Sequence, residues 1–452
     1  MAAERGQWGS RIGFVLAAAG SAVGLGSVWK FPYMAGANGG SAFLIMYLAA
    51  VLGIGMSMML AELAVGRAAR KDAVGAYSML GGQKWSVFGY LSLTAAFIIL
   101  SFYCVVGGWT VGYLLKAVRG TLLAPADAEG FKLQFSAFIG DPAYSLVFSA
   151  VFMLMTVGII LGGVQGGIER VSKVLMPLLL LLMILMIARS LTLPGAVEGV
   201  KFLLVPDLGK ITPRVLTDAM GFACFSLSLG FGGMLTYGSY MGKGENIVKA
   251  AFWVVGLQIV YTLTAGFMVM PAVFAFGMEP SAGPGLSYIT LPAVFKAMQG
   301  GAFFAAVFFS LLLIAALTSS VSILEPIVAH LIDRHGVSRK KASCGTAAAC
   351  FLAGIPAAWS FGPWEEVRVF GLNPFELMDY VTSNIMLPIN VLAGCLLMGW
   401  FRKRTLRREL YPGRHGNDGK DCPLPGWVSL VEAGCRFIAP AAVAATLLAG
   451  IL

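Results

Sequence analysis

The sequence predicts an all-α membrane protein that crosses the bilayer many times, with two of its crossings interrupted. Three observations carry this. The 452 residues are 58% hydrophobic and only 12% charged, with a mean hydropathy of +0.82, which is more apolar surface than a water-soluble core of this length can hide. The apolar runs reach the roughly 20 residues that a helix needs to span hydrocarbon. Two of the runs carry glycine-rich stretches at matching places in the two halves, Gly20 to Ser27 (GSAVGLGS) and Ser226 to Gly233 (SLSLGFGG).

Eleven runs are long enough, near 12–36, 41–66, 87–118, 145–163, 170–190, 213–240, 247–276, 301–332, 342–360, 375–400 and 427–451. Lys and Arg concentrate in alternate loops: Arg5 and Arg11; Arg67, Arg70, Lys71 and Lys84; Arg170 and Lys173; Lys243 and Lys249; Arg334, Arg339, Lys340 and Lys341; and Arg402 to Arg408. By the positive-inside rule these loops are cytoplasmic, so the N-terminus is inside and an odd count puts the C-terminus outside. The net charge of +10 then reflects topology rather than a nucleic-acid surface. The first run is too long, and too closely followed by another, for a cleavable signal. A bacterial plasma membrane is the expected home, with lipid the only obligate surroundings and no protein partner implied.

A mid-span cluster of glycine and serine predicts unwinding. Unwound backbone is tolerated at membrane depth only where freed amides and carbonyls line a cavity. Small residues four apart, such as Gly20 and Gly24, also serve close helix packing, but two breaks in equivalent places favour a site. Half-helix N-termini are partly positive and C-termini partly negative, so one such site can hold a carboxylate and a bare cation together. On the eighth run Ala315, Thr318, Ser319 and Ser322 fall along one helical face. Hydroxyls and freed carbonyls suit a hard cation such as sodium, whereas hydroxyls bonded back to their own helix would mean little. Cys104, Cys224, Cys344, Cys350, Cys395, Cys422 and Cys435 show no ligand spacing, and His330, His335 and His415 form no zinc signature.

Trp8, Gly20 to Gly26, Phe31-Pro32, Asn38 to Gly40, Glu62, Gly66-Arg67, Gly167 to Arg170, Pro206-Asp207, Ser226 to Gly232, Ile289 to Pro292 and Leu317 to Ser320 form an ordered set. Over nearly the whole chain it resembles the neurotransmitter:sodium symporter family, and within it the bacterial amino acid transporters of the LeuT fold. The resemblance implies a cytoplasmic segment 1–11, a five-helix repeat 12–190, an extracellular loop 191–212, an inverted repeat 213–400, a basic loop 401–426 and an eleventh helix 427–452, with the first and sixth helices broken.

The resemblance also implies roles. One sodium site, Na2, falls on Gly20, Val23, Ala315, Thr318 and Ser319. Gly24 stands where monoamine carriers have an aspartate, which implies an amino acid substrate. Its carboxylate would meet the amides of Leu25 and Gly26 and the Tyr103 hydroxyl. Its ammonium would meet carbonyls near Ala22, Phe225 and Ser228, and its side chain would meet Ile99, Phe225, Phe231 and Ile323, with Ser226 and Ser319 alongside. Those apolar walls suit a neutral amino acid. A second site, Na1, would use Ala22, Ser27, Ser226 and Gln258, although Ser27 replaces an asparagine and the seventh run, Ile247 to Met270, contains no Asn, Asp or Glu. Chloride is not expected to be required: Tyr47 and Ser226 fit the family's anion site, but Phe222 stands where it has a glutamine. Lys30 and Asp379 are the expected outer latch; Arg5 and Asp333, with Trp8 and Tyr240, the inner one. Glu325 reads as an unpaired acid beside Pro326 that could hold a charge or a proton.

Other functions fit less well. Thr110-Val-Gly-Tyr113 imitates a potassium filter, but Leu114 follows it inside one long apolar run. No metalloprotease helix, phosphate loop or serine elbow marks an enzyme. A proton-coupled amino acid transporter, or an amino acid sensor on the same fold, stays open as the alternative.

Overall fold

The computed structural model describes residues 6–278, 285–411 and 425–451, and the regular secondary structure of the described residues is helical apart from one isolated bridge between Val369 and Leu372. Arg5 and Cys422 lie outside the described residues. The principal helices are α1 (Arg11–Ala22), α2 (Gly26–Ala37), α3 (Ser41–Ala69), α4 (Ala73–Gly81), α5 (Gln83–Val118), α6 (Pro142–Leu161), α7 (Gly163–Leu191), α8 (Pro213–Ser226), α9 (Gly233–Ser239), α10 (Ile247–Ala275), α11 (Gly301–His335), α12 (Arg339–Trp359), α13 (Pro374–Phe401), α14 (Lys403–Leu410) and α15 (Gly426–Leu447).

Among the described residues, nine helices are long and apolar enough to cross a membrane, or ten if α1 and α2, bent by 47°, count as one span. Ten of the eleven expected runs are met in this way. The remaining one, 213–240, is two helices of 14 and 7 residues, each too short to cross alone.

Local signals set the ends. The hydroxyl of Ser10 accepts from Gly13 N at the start of α1, and Asp141 and Asn246 cap α6 and α10 in the same manner. Asn373 and Glu376 close a reciprocal capping box on α13. Gly336, at φ 63°, stops α11 in the left-handed region.

The 35-residue helix α11 packs most extensively on α5 and also touches α1, α6, α7, α9 and α12. It is the central post against which the first break lies. Residues 315 to 326 of α11 are buried on every face, so its hydroxyls look into protein rather than lipid. Lipid-facing leucines and valines cover α6 and α7 instead.

Candidate functional site

Both stretches are broken. α1 ends at Ala22, Val23 turns out of the helix at φ −84°, ψ 59°, and the chain resumes as a loosely wound π turn at Gly26. The second gap, 227 to 232, separates α8 from α9, with Ser228, Gly230 and Gly232 at φ 54°, 92° and 81°. The two breaks touch: Ser228 Oγ donates to the carbonyl of Ser21 at 2.7 Å. Glycine is required at two of these positions. A Cβ on Gly24 would lie 2.1 Å from Ser319 Oγ, and one on Gly230 would lie 2.6 Å from the carbonyl oxygen of Leu387. Glu62 on α3 pins the second break by accepting from Gly230 N at 2.7 Å.

The hydroxyl face of α11 meets the first break. Ser319 Oγ reaches the carbonyls of Ser21 (2.9 Å) and Gly20 (3.3 Å). Ser21 Oγ donates to Ser322 Oγ at 2.7 Å, which donates in turn to Ser319 O. Thr318 behaves differently, bonding back to Ile314 O and Ala315 O. A Cβ on Gly20 would come within 3.2 Å of Thr318 Cβ, so Gly20, Ala315, Thr318 and Ser319 converge, with buried Val23 at the break itself.

Between the breaks lies a cavity with about 490 Å3 of atom-free space. Every expected substrate contact lines it except Ser226: Ala22, Gly24, Leu25, Gly26, Ile99, Tyr103, Phe225, Ser228, Phe231, Ser319 and Ile323. Leu25 N donates to Tyr103 Oη at 3.4 Å. The walls also include Ser21, Phe102, Leu229 and Leu387, none of which was expected. No lining residue carries a charge.

Ser226 sits in an adjoining polar knot, buried with Ser27, Tyr47, Gln258 and Thr262. Ser27 Oγ donates to Ala22 O at 3.3 Å, and Gln258 Nε2 donates to Ser27 Oγ at 2.6 Å and to Thr262 Oγ1 at 3.2 Å. Tyr47 Oη lies 3.3 Å from Ser226 Oγ. Gln258 Oε1 is buried with no hydrogen-bond partner among the described residues. Phe222 packs against Tyr47, ring centroids 5.1 Å apart, and fills the neighbouring space with an aromatic ring.

At the outer end the expected latch is not joined. Lys30 Nζ lies 4.6 Å from the Phe225 ring centroid, and Asp379 Oδ1 accepts from Ser383 at 2.8 Å. A vestibule of about 940 Å3 opens beside Lys30, Asp218, Phe225, Ser383 and Asn384.

The inner end corrects the reading of Glu325, which is fully buried yet paired. Arg339 reaches both of its oxygens at 2.8 Å, and Tyr240 Oη donates to Oε1 at 2.7 Å. Arg339 begins the next helix and so looks, in sequence, like one more positive-inside charge. Trp8 packs on Tyr237 and Tyr240 and donates from its ring nitrogen to Tyr237 O. Asp333 Oδ2 accepts from Asp72 N at 3.1 Å. Burial alone would raise the Asp72 carboxyl, but the hydrogen bond and charge of His330, with the amides of Gly75 and Val74, hold it below the ordinary carboxylate value.

A profile of the Sodium:neurotransmitter symporter family matches residues 5–126 and 133–409. An uncharacterized sodium-dependent transporter, YhdH, of Bacillus subtilis is 41% identical over 97% of this chain and 96% of its own length. A second uncharacterized sodium-dependent transporter, from Haemophilus influenzae, is 38% identical over 90% and 92%. The crystal structure of MhsT in complex with L-phenylalanine superimposes with a TM-score of 0.89 at 42% identity, covering 99% of this chain and all of that one.

Proposed function

This chain belongs to the sodium:neurotransmitter symporter family and has its LeuT fold, and on that premise we propose that it is a sodium-coupled symporter of a neutral, apolar L-amino acid, working by alternating access in a bacterial plasma membrane. One observation carries the substrate class: the cavity between the breaks offers backbone groups and hydroxyls at one end and Ile99, Phe225, Phe231 and Ile323 around it, with no charged side chain. A charged substrate side chain would stay uncompensated there. The zwitterionic head has partners in the Leu25 and Gly26 amides, the Tyr103 hydroxyl and the carbonyls of Ala22, Phe225 and Ser228. L-Phenylalanine, held in the similar MhsT structure, is an amino acid of this class.

Sodium fits the neutral oxygens around Gly20, Val23, Ala315, Thr318 and Ser319. A second sodium fits at Ala22, Ser27, Ser226 and Gln258, where the Gln258 oxygen, without a partner among the described residues, is an acceptor that a cation can occupy. Chloride has no place beside Phe222, and Glu325, being neutralised by Arg339, does not supply a compensating charge. The cycle needs the outer latch, Lys30 with Asp379, and the inner cluster around Trp8, Tyr240, Asp333 and Glu325 to open in turn.

Binding of the twenty amino acids to purified protein in sodium, then in potassium, tests the reading. Sodium-dependent binding confined to neutral side chains is expected; binding indifferent to sodium overturns it. Sodium-driven uptake into vesicles separates a transporter from a sensor, which would bind without accumulating substrate. Uptake driven by a proton gradient alone would instead favour the proton-coupled alternative.

A further inference from the structure

The substrate cavity and the outer vestibule share two wall residues, Phe225 and Leu387. They come from different helices and are held differently. Phe225 lies near the end of α8, its ring edge 2.7 Å from where a Gly26 Cβ would stand, with Lys30 Nζ over its face. Leu387 comes from α13. It follows the loosely wound turn Val381–Met386 of α13 and precedes Pro388. Its side chain is 5% exposed, and its backbone carbonyl abuts Gly230, whose φ of 92° leaves no room for a side chain. The partition thus combines an aromatic ring from α8 with an aliphatic side chain from α13 whose backbone is seated against the second break.

We propose that Leu387 is a specificity-determining residue, its side-chain volume setting how large an amino acid side chain the cavity accepts before it runs into the vestibule. The inference rests on the transport reading above. With an isobutyl group at 387 the cavity ends at that wall. Shortening the group opens the cavity towards the vestibule that shares this wall and removes apolar contact from small substrates. Enlarging it shortens the cavity. One methylene more or less in an apolar pocket changes discrimination by about ten- to two-hundredfold, so the effect is large enough to measure.

The experiment compares Leu387→Ala and Leu387→Phe with the unaltered protein, using sodium-dependent binding of L-tryptophan and L-alanine. Leu387→Ala is expected to raise the tryptophan-to-alanine affinity ratio about tenfold, and Leu387→Phe to lower it by a similar factor. Opposite signs are the signature, because a merely structural role would weaken both ligands together in both variants. Leu387→Val and Leu387→Met, close in volume, give the same two directions in smaller measure if the larger changes do not fold. A ratio unmoved across the series, or moved one way by every variant, overturns the proposal. If the unaltered protein binds no amino acid in sodium, the transport reading itself fails; if it binds and only the ratio stays fixed, Leu387 alone is acquitted.

Discussion

Ser319 is where the first break, the central helix and the cavity meet, and a change there separates ion binding from simple helix packing. Its hydroxyl reaches two carbonyls of the broken helix at 2.9 and 3.3 Å. As a hydrogen bond alone it contributes about 1 kcal/mol. As an oxygen beside a dehydrated cation its loss costs about 1.5 to 3 kcal/mol, or roughly ten- to a hundredfold in affinity. Ser319→Ala is therefore expected to lower the apparent sodium affinity by about that factor while the melting temperature without sodium moves little. An unchanged sodium titration with a lowered melting temperature would reduce Ser319 to a packing contact. Gln258 provides the matching test for the second ion. Its amide nitrogen is bound to Ser27 and Thr262 while its oxygen has no partner among the described residues. Replacing it with leucine is expected to reduce the sodium Hill coefficient of substrate binding from near two towards one; a coefficient of one before the substitution would remove the second site.

At the level of elements, the breaks are built by positions that forbid a side chain. Gly230 combines φ 92° with a Leu387 oxygen 2.6 Å from the place a Cβ would occupy. Gly230→Ala is expected to lower thermal stability by more than about 2 kcal/mol, since strain of about 1 to 3 kcal/mol adds to a backbone clash. Gly256 on α10 has nothing within 4 Å of an added Cβ, so Gly256→Ala should be neutral or stabilising by up to about 1 kcal/mol. Equal effects in the two thermal melts would mean that the break is not seated on α13. The same contrast explains what could be read in advance. Glycines with interleaved serines inside apolar runs announce unwinding locally, and the hydroxyl face of α11 is periodic, so both were visible in the sequence. Leu387 and Phe102 are ordinary apolar residues in apolar helices, and only the packing of α13 and α5 beside the breaks brings them to the cavity wall. Glu325 was misjudged because its partner opens the next helix among other basic residues. Lys30 and Asp379 have the right charges on the right helices, yet whether they touch depends on how far the vestibule is open, which no sequence pattern encodes. The Arg339 pair carries its own test. Removing one partner of a buried ion pair costs about 3 to 5 kcal/mol, so Arg339→Ala should destabilise the protein strongly, and adding Glu325→Gln should recover a large part. A double variant no better than the single one would show that Arg339 acts through contacts other than Glu325.

For the whole molecule, the decisive quantity is the number of charges moved per cycle, because it joins the two proposed ion sites to the work the transporter can do. On the proposed reading the substrate is a neutral amino acid, which crosses as a zwitterion with no net charge, so that sodium alone would couple transport to voltage. Each charge moving through 100 mV releases about 2.3 kcal/mol, which at about 1.4 kcal/mol per tenfold sustains on the order of fiftyfold accumulation. Two ions sustain on the order of two thousandfold from voltage alone. Since coupling is reciprocal, sodium must tighten substrate binding by the same factor that substrate tightens sodium binding. In vesicles clamped at about 100 mV with equal sodium on both sides, the steady accumulation ratio therefore counts the ions. A ratio near fifty assigns the coupling to the oxygens around Ser319 alone, and a ratio far above it requires the knot at Gln258 as well. If two ions are coupled, Gln258→Leu should bring the higher ratio down to the lower one while uptake continues. Accumulation independent of voltage would contradict sodium coupling, since neither proposed site contains a carboxylate or histidine that could return a compensating charge.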